Sequence, residues 1–293
     1  MRHRAVIAGW CCVASLGVGA LPGCAGARLR REQAAETPAM ASSRQELSQA
    51  ATAAMDRGDY PLARSDLEQL VAQTPRSAEL HYRLGKVMQF QGDLAASAES
   101  FSKALAIEPE YVGALVGLGQ VDARLNRSNK ALERYDTAIE VEPNQPEAHF
   151  ARGQALELLG RPDEALAAYF RSLELNPGSA PAILRVASLQ LDRGQPDQAL
   201  VRLERANELA PDDAEIRFRR GLAHLALNHS RAAVQDLQFA AEKLGDRAEV
   251  YLGLAQALEV DRQPAQARLA AERALRLEPN SAVARDLSER LHR

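Results

Sequence analysis

The residues of this 293-residue chain best suited to metal or nucleophilic chemistry are its six histidines and three cysteines, and their spacing argues against both. His81 and His149 lie too far apart in sequence to act as a local chelating pair. His224 and His229 stand five apart with no carboxylate or thiol beside them in a ligand pattern, and His292 is alone near the end. All five read as surface or packing residues, so no metal is expected. Cys11 and Cys12 lie inside an apolar run and Cys24 is the only other thiol, which leaves nothing for a disulfide or a thiolate site once that run is removed. No serine–histidine–acid set or pair of carboxylates stands out. Gly113-x-x-x-Gly117-x-Gly119 has the glycine density of a phosphate loop, but no strand precedes it. It reads instead as a helix loosened by glycines, each costing ~1 kcal/mol relative to alanine. Asn126-Arg127-Ser128 and Asn228-His229-Ser230 fit a glycosylation sequon, although their spacing also marks both asparagines as turn residues. The formal charge of −3, or −5 once residues 1–23 and their two arginines are set aside, comes without a basic stripe and argues against nucleic acid. No cofactor is expected, and the chain does not read as an enzyme.

What the remaining polar and aromatic residues must be mounted on is a repeat. Pro75, Pro109, Pro143, Pro177 and Pro211 are evenly spaced, and Pro279 follows two periods later. Gly85, Gly119, Gly153 and Gly221 share one phase; Ala63, Ala131, Ala165, Ala199, Ala233 and Ala267 share another. A 34-residue period with these fixed positions resembles the tetratricopeptide repeat, a helix-turn-helix unit with a W-x2-L-G-x2-Y, A-x3-F and P pattern. The resemblance spans residues 44–281. It implies an all-α, right-handed superhelical solenoid of seven repeats (44–77, 78–111, 112–145, 146–179, 180–213, 214–247, 248–281) with a C-terminal capping helix over 282–293.

Each unit can be read locally. In the second, helices are expected over 78–91 and 94–108, where Leu84 and Met88, then Phe101, Ala104 and Leu105, make apolar stripes. Gly85 and Ala104 let the paired helices approach closely. Between the helices Gly58, Gly92, Asn126, Gly160, Gly194 and Asn228 recur, residues that accept the left-handed conformation ending a helix. Arg262 breaks that series and predicts an altered turn in the seventh unit. Pro162, Pro196 and Pro264 suit the first turn of a helix, while the evenly spaced prolines stop the preceding one. Ser77, Ser179, Asp212 and Ser281 are placed to cap helix starts. The alanine-rich first unit is expected to be the least stable, Gly245 in place of proline to loosen the sixth-to-seventh junction, and Val283, Leu287 and Leu291 to form the inner stripe of the cap.

The resemblance also implies a concave face, lined by the first helix of each repeat, that binds peptides. Its fifth positions are Tyr82, Val116, Phe150, Leu184, Phe218 and Leu252, an apolar ribbon with aromatics in alternate repeats. Glu79, Glu147, Glu215 and Glu249 hold the second position; Lys86, Gln120, Gln154 and Gln256 hold the ninth. Such a groove suits an extended or helical segment of modest basic character, although fifth-position bulk can equally pack between repeats. The lysine–asparagine clamp of chaperone-binding members of the family is absent.

Residues 1–27 differ from the rest. A basic start at 1–4 and an uncharged apolar run over 5–21 have the plan of a secretory signal peptide. Leu21-Pro22-Gly23-Cys24 resembles the lipobox of bacterial lipoproteins, which implies cleavage after residue 23 and lipidation of Cys24; Ala25-Gly26-Ala27 offers ordinary cleavage as the alternative. Residues 24–43 are expected to form a flexible tether, spanning roughly 25 Å r.m.s.. The expected address is the bacterial envelope, lipid-anchored at the outer membrane and facing the periplasm, or soluble in the periplasm if cleaved at Ala27. The expected role is non-catalytic: a scaffold for other envelope proteins or peptides, assisting pilus, secretion or outer-membrane assembly, with a docking subunit for a cell-wall enzyme as the alternative.

Overall fold

A computed structural model describes residues 38–291. The expected signal peptide, Cys24 and most of the expected tether therefore lie outside the described residues, as does His292. Fifteen helices and no strands make up the described chain, and none of the helices is long and apolar enough to cross a membrane. They form seven antiparallel pairs: α1 (Pro38–Asp56) with α2 (Tyr60–Gln73), α3 (Ala78–Phe90) with α4 (Leu94–Ile107), α5 (Val112–Arg124) with α6 (Ser128–Val141), α7 (Pro146–Leu158) with α8 (Pro162–Leu175), α9 (Ala180–Asp192) with α10 (Pro196–Leu209), α11 (Ala214–Ala226) with α12 (Ser230–Lys243), and α13 (Ala248–Val260) with α14 (Pro264–Leu277). α15 (Ala282–Leu291) closes the end. The expected helices of the second unit end one residue later than the observed α3 and α4. Pro38 already begins α1, so the last residues assigned to the tether are helical.

Each helix packs on its partner and on the next helix along. In addition α3 touches α5, α5 touches α7, α9 touches α11 and α11 touches α13. Alternate odd helices thus approach one another and form the inner layer of a curved stack, so side chains facing away from the even helices line its concave side.

The register of the pairs is set by size complementarity. A methyl group on Gly85, Gly119 or Gly153 would come within 2.7, 2.5 and 2.5 Å of the rings of Phe101, Tyr135 and Tyr169, each carried by the second helix of the same pair. In the first and fifth pairs the same two places hold Ala51 with Leu67 and Ala187 with Leu203, all buried in common clusters. The trio Gly113, Gly117 and Gly119 follows the same logic rather than loosening α5: Tyr82 and Tyr111, Phe101 and Tyr135 respectively pack onto the bare backbone.

Punctuation follows the sequence with three corrections. Arg262 adopts φ +59°, like Asn126 (+59°) and Asn228 (+60°), so the seventh turn is not altered; the arginine is held in the left-handed region. Asp213, not Asp212, caps α11, accepting hydrogen bonds from the amides of Glu215 and Ile216 at 2.8 and 3.1 Å. In α15 Val283 is 60% exposed, and the inner stripe is Ala284, Leu287 and Ser288, with Leu291 partly buried beside them. Ser77, Ser179 and Ser281 do cap their helices, as do Asp59 and Asp93.

Candidate partner-binding groove

Across repeats two to four the concave face draws on positions 2, 5, 6, 9, 12 and 13 of the odd helices, and along the chain it is not uniform. Tyr82 is half-buried, tilted against Tyr111 and Phe101 with ring centroids 5.3 and 6.0 Å away, and Lys86 reaches over its ring at 5.8 Å. Burial, with Glu79 and Glu147 nearby, pushes the Tyr82 phenol up from its ordinary value, so it stays protonated as a donor. Tyr111 hydrogen-bonds Glu79. Phe150 is half-buried on Tyr169 at 5.5 Å, and the Tyr169 hydroxyl donates to Glu157, which also accepts from Arg185.

The expected apolar ribbon is broken. Val116 is 8% exposed, packed in one cluster with Ala148 and Ala151, and Phe218 is only 2% exposed, covered by two arginines. The guanidinium groups of Arg219 and Arg247 each stand 5.2 Å from the Phe218 ring centroid. Arg219 bonds Glu215 at 2.9 Å, and Arg247 pairs with Glu215 and Glu249. Burial opposes the charge on Glu215, but hydrogen bonds from Arg247 and Arg219 outweigh it and hold its carboxyl below the usual range. The groove in the last two repeats is therefore sealed by an ion-pair network. Leu184 and Leu252 are partly buried and pack into the clusters around Leu203 and Leu254. Gln154 is exposed and, like those two leucines, lies outside the recesses of the groove.

The opening lies in repeats two to five. A recess of ≈ 540 Å³ between α3, α5 and α7 brings together Tyr82, Lys86, Val116, Gln120 and Glu147 from the expected set. Sequence reasoning missed its other walls: Phe90, 57% exposed and stacked on Tyr60 at 5.0 Å, Gln89, Gln145, and the floor at Gly113 and Gly117. The available signal was that only the third repeat carries glycine at both its second and sixth positions. Gln89 donates to the Gln120 side-chain oxygen at 3.2 Å. A second recess of ≈ 160 Å³ shares Gln120 and Glu147 and runs on to Phe150 and Ser179. Half-apolar, half-amide walls of this kind match the balance of an unfolded polypeptide segment, whose backbone needs donors and acceptors along its length.

The histidines serve the scaffold. The rings of His81 and His149 donate through Nε2 to the Pro75 and Pro143 carbonyls at 3.0 and 2.9 Å, and Arg217 and Arg285 do the same at the equivalent positions to Pro211 and Pro279. His224 and His229 meet Nδ1 to Nδ1 at 3.4 Å across the Asn228 turn. Among the described residues no group of three or more histidine, cysteine or acidic side chains could hold a metal ion.

Comparison with known proteins places this architecture. A family model described as Tetratricopeptide repeat matches residues 48–112 and 116–180, and a second of the same description matches 156–225. Among solved structures the chain is similar to the Cut9–Hcn1 hetero-tetramer of the APC/C, at 18% identity and TM-score 0.68, over 80% of this chain and 49% of that one; it thus spans about half of that chain. It is also similar to PilF of Pseudomonas aeruginosa, at 19% identity and TM-score 0.67, over 73% of this chain and 97% of that one. PilW, a type IV pilus biogenesis factor, is 21% identical with TM-score 0.61, over 69% of this chain and 94% of that one. No curated protein matches the sequence. Likeness at these identities is one of fold.

Proposed function

The chain belongs to the tetratricopeptide-repeat family, and from that premise we propose that it is a non-catalytic scaffold, lipid-anchored in a bacterial envelope through Cys24, that gathers envelope proteins by holding segments of them in its concave groove. The observation that carries this reading is the recess between α3, α5 and α7, which joins five of the expected groove residues around an amide-rich, half-apolar opening. One of the solenoids it resembles in fold, PilW, is described as a type IV pilus biogenesis factor, and assistance to pilus, secretion or outer-membrane assembly is the nearest analogy.

A crosslinked pull-down from native envelopes tests the groove. The wild type is compared with a Tyr82→Ala, Gln120→Ala, Glu147→Ala variant shown to be folded by circular dichroism. A protein enriched by the wild type and lost by the variant supports the reading; partners kept equally by both move recognition elsewhere. Cys24→Ala should leave the membrane fraction, and its retention there after a high-salt wash would refute the lipid anchor.

A further inference from the structure

The large recess runs along a stretch of repeat three that lacks side chains where its neighbours have them. At the second position the flanking repeats carry Glu79 and Glu147, and at the sixth Arg83 and Ala151; α5 carries Gly113 and Gly117. A methyl group on Gly113 would lie 3.0 Å from the Tyr82 ring, and one on Gly117 would lie 2.6 Å from Phe101, so any side chain here would displace the wall. The result is a floor of Val112, Val116 and bare backbone, with Tyr82 and Phe90 on one side. Its ≈ 540 Å³ falls within the roughly 300–1,000 Å³ of sites that enclose a ligand rather than touch it.

The rim is polarised. Lys86 stands on the α3 wall and Glu147 on the α7 wall, and neither makes an ion pair among the described residues, whereas Glu215, Glu249, Arg219 and Arg247 in the later repeats neutralise one another. Between them, the Gln89–Gln120 bond uses one donor and one acceptor, leaving the Gln89 oxygen and the Gln120 nitrogen for a ligand. α3 packs on α5 and α5 on α7. Lys86 reaches over the Tyr82 ring at 5.8 Å and Glu147 stands near the phenol of the same ring, so the two charges flank one aromatic side chain.

We propose that the recess between α3, α5 and α7 seats an extended segment of a partner protein bearing one bulky apolar residue flanked by an acidic residue toward Lys86 and a basic residue toward Glu147. This deepens the groove reading and rests on it. The apolar residue packs against Tyr82, Phe90 and Val116, the glutamines bond the backbone on either side, and the chain continues past Gln120 and Glu147 into the smaller recess.

The test is selection of a displayed random dodecamer library on the purified full chain, followed by fluorescence polarisation of the enriched peptides. Peptides should share the acid–apolar–base pattern, bind at least about tenfold more weakly to Lys86→Glu and to Glu147→Lys, and recover on the double reversal when their own charges are exchanged. Gln120→Leu, which removes the amide at an exposed position while keeping a good helix former, should weaken binding at least about tenfold with the urea midpoint retained. Peptides without the pattern that are still lost by the Tyr82, Gln120 and Glu147 alanine variant would overturn this inference and leave the groove reading standing. Peptides bound equally by every variant would overturn both. Failure to enrich any peptide would overturn the inference alone, since the pull-down tests the groove independently.

Discussion

Gly153→Ala has a sign that separates two views of the inter-helix glycines. If Gly153 were merely a tolerated residue in α7, alanine would stabilise the helix by about 0.8–1.0 kcal/mol. In the structure, however, a Cβ there would lie 2.5 Å from Cε1 of Tyr169 and 2.7 Å from its Cδ1. The ring is fully buried and cannot swing aside. Overpacking of this kind costs about 1–3 kcal/mol, so the net expectation is a loss of about 1 kcal/mol. Tyr169→Leu alone should cost about 2–3 kcal/mol, from the cavity and from the lost hydroxyl bond to Glu157. The double variant recreates the pairing that repeat five already uses, Ala187 with Leu203, both fully buried. It should therefore be more stable than the sum of the single changes by about 1–2 kcal/mol. Urea unfolding followed by far-ultraviolet circular dichroism gives all four corners of the cycle. A Gly153→Ala protein more stable than wild type, with coupling no larger than the few tenths of a kcal/mol within which independent sites add, would refute size complementarity as what sets the register of the pair.

Two further outcomes follow from particular residues. Arg262→Gly should raise stability by about 0.5–1 kcal/mol, because an arginine at φ +59° carries the left-handed penalty that glycine avoids; an unchanged or lowered thermal midpoint would contradict it. The lowered pKa of Glu215 means that its contribution is fully present above the unfolded carboxylate value near ~4.3 and is lost as pH falls through the lower folded value. The stability gap between wild type and Glu215→Gln should then be widest at neutral pH and shrink toward pH 3 in urea titrations; a gap independent of pH would remove the Arg247–Glu215–Arg219 network from the account.

The sequence determined the architecture because its signals are local and repeated. Proline and left-handed residues recurring once per repeat stop and turn the chain wherever they fall, and the apolar stripes leave each helix pair with one face to bury on the next. The helix pairs and the turns between them could be read from one period to within a residue, and the concave layer followed from the family resemblance. Arg262 was misjudged for an instructive reason: its neighbours' hydrogen bonds impose the left-handed turn regardless of which residue sits there.

Only the tertiary structure decided which stretch of the groove is open. Fifth-position residues look alike along the chain, but exposure depends on what surrounds each one: Arg219 and Arg247 close over Phe218, while Tyr82 and Phe101 pack onto the bare backbone at Gly113 and Gly117 beside the recess that Gln89, Phe90 and Gln145 line. Except for Arg219, the neighbour of Phe218, those contacts join residues far apart in the sequence. A pattern read within one helix records which face a side chain occupies, whereas the space in front of it is set by what the neighbouring helices put there.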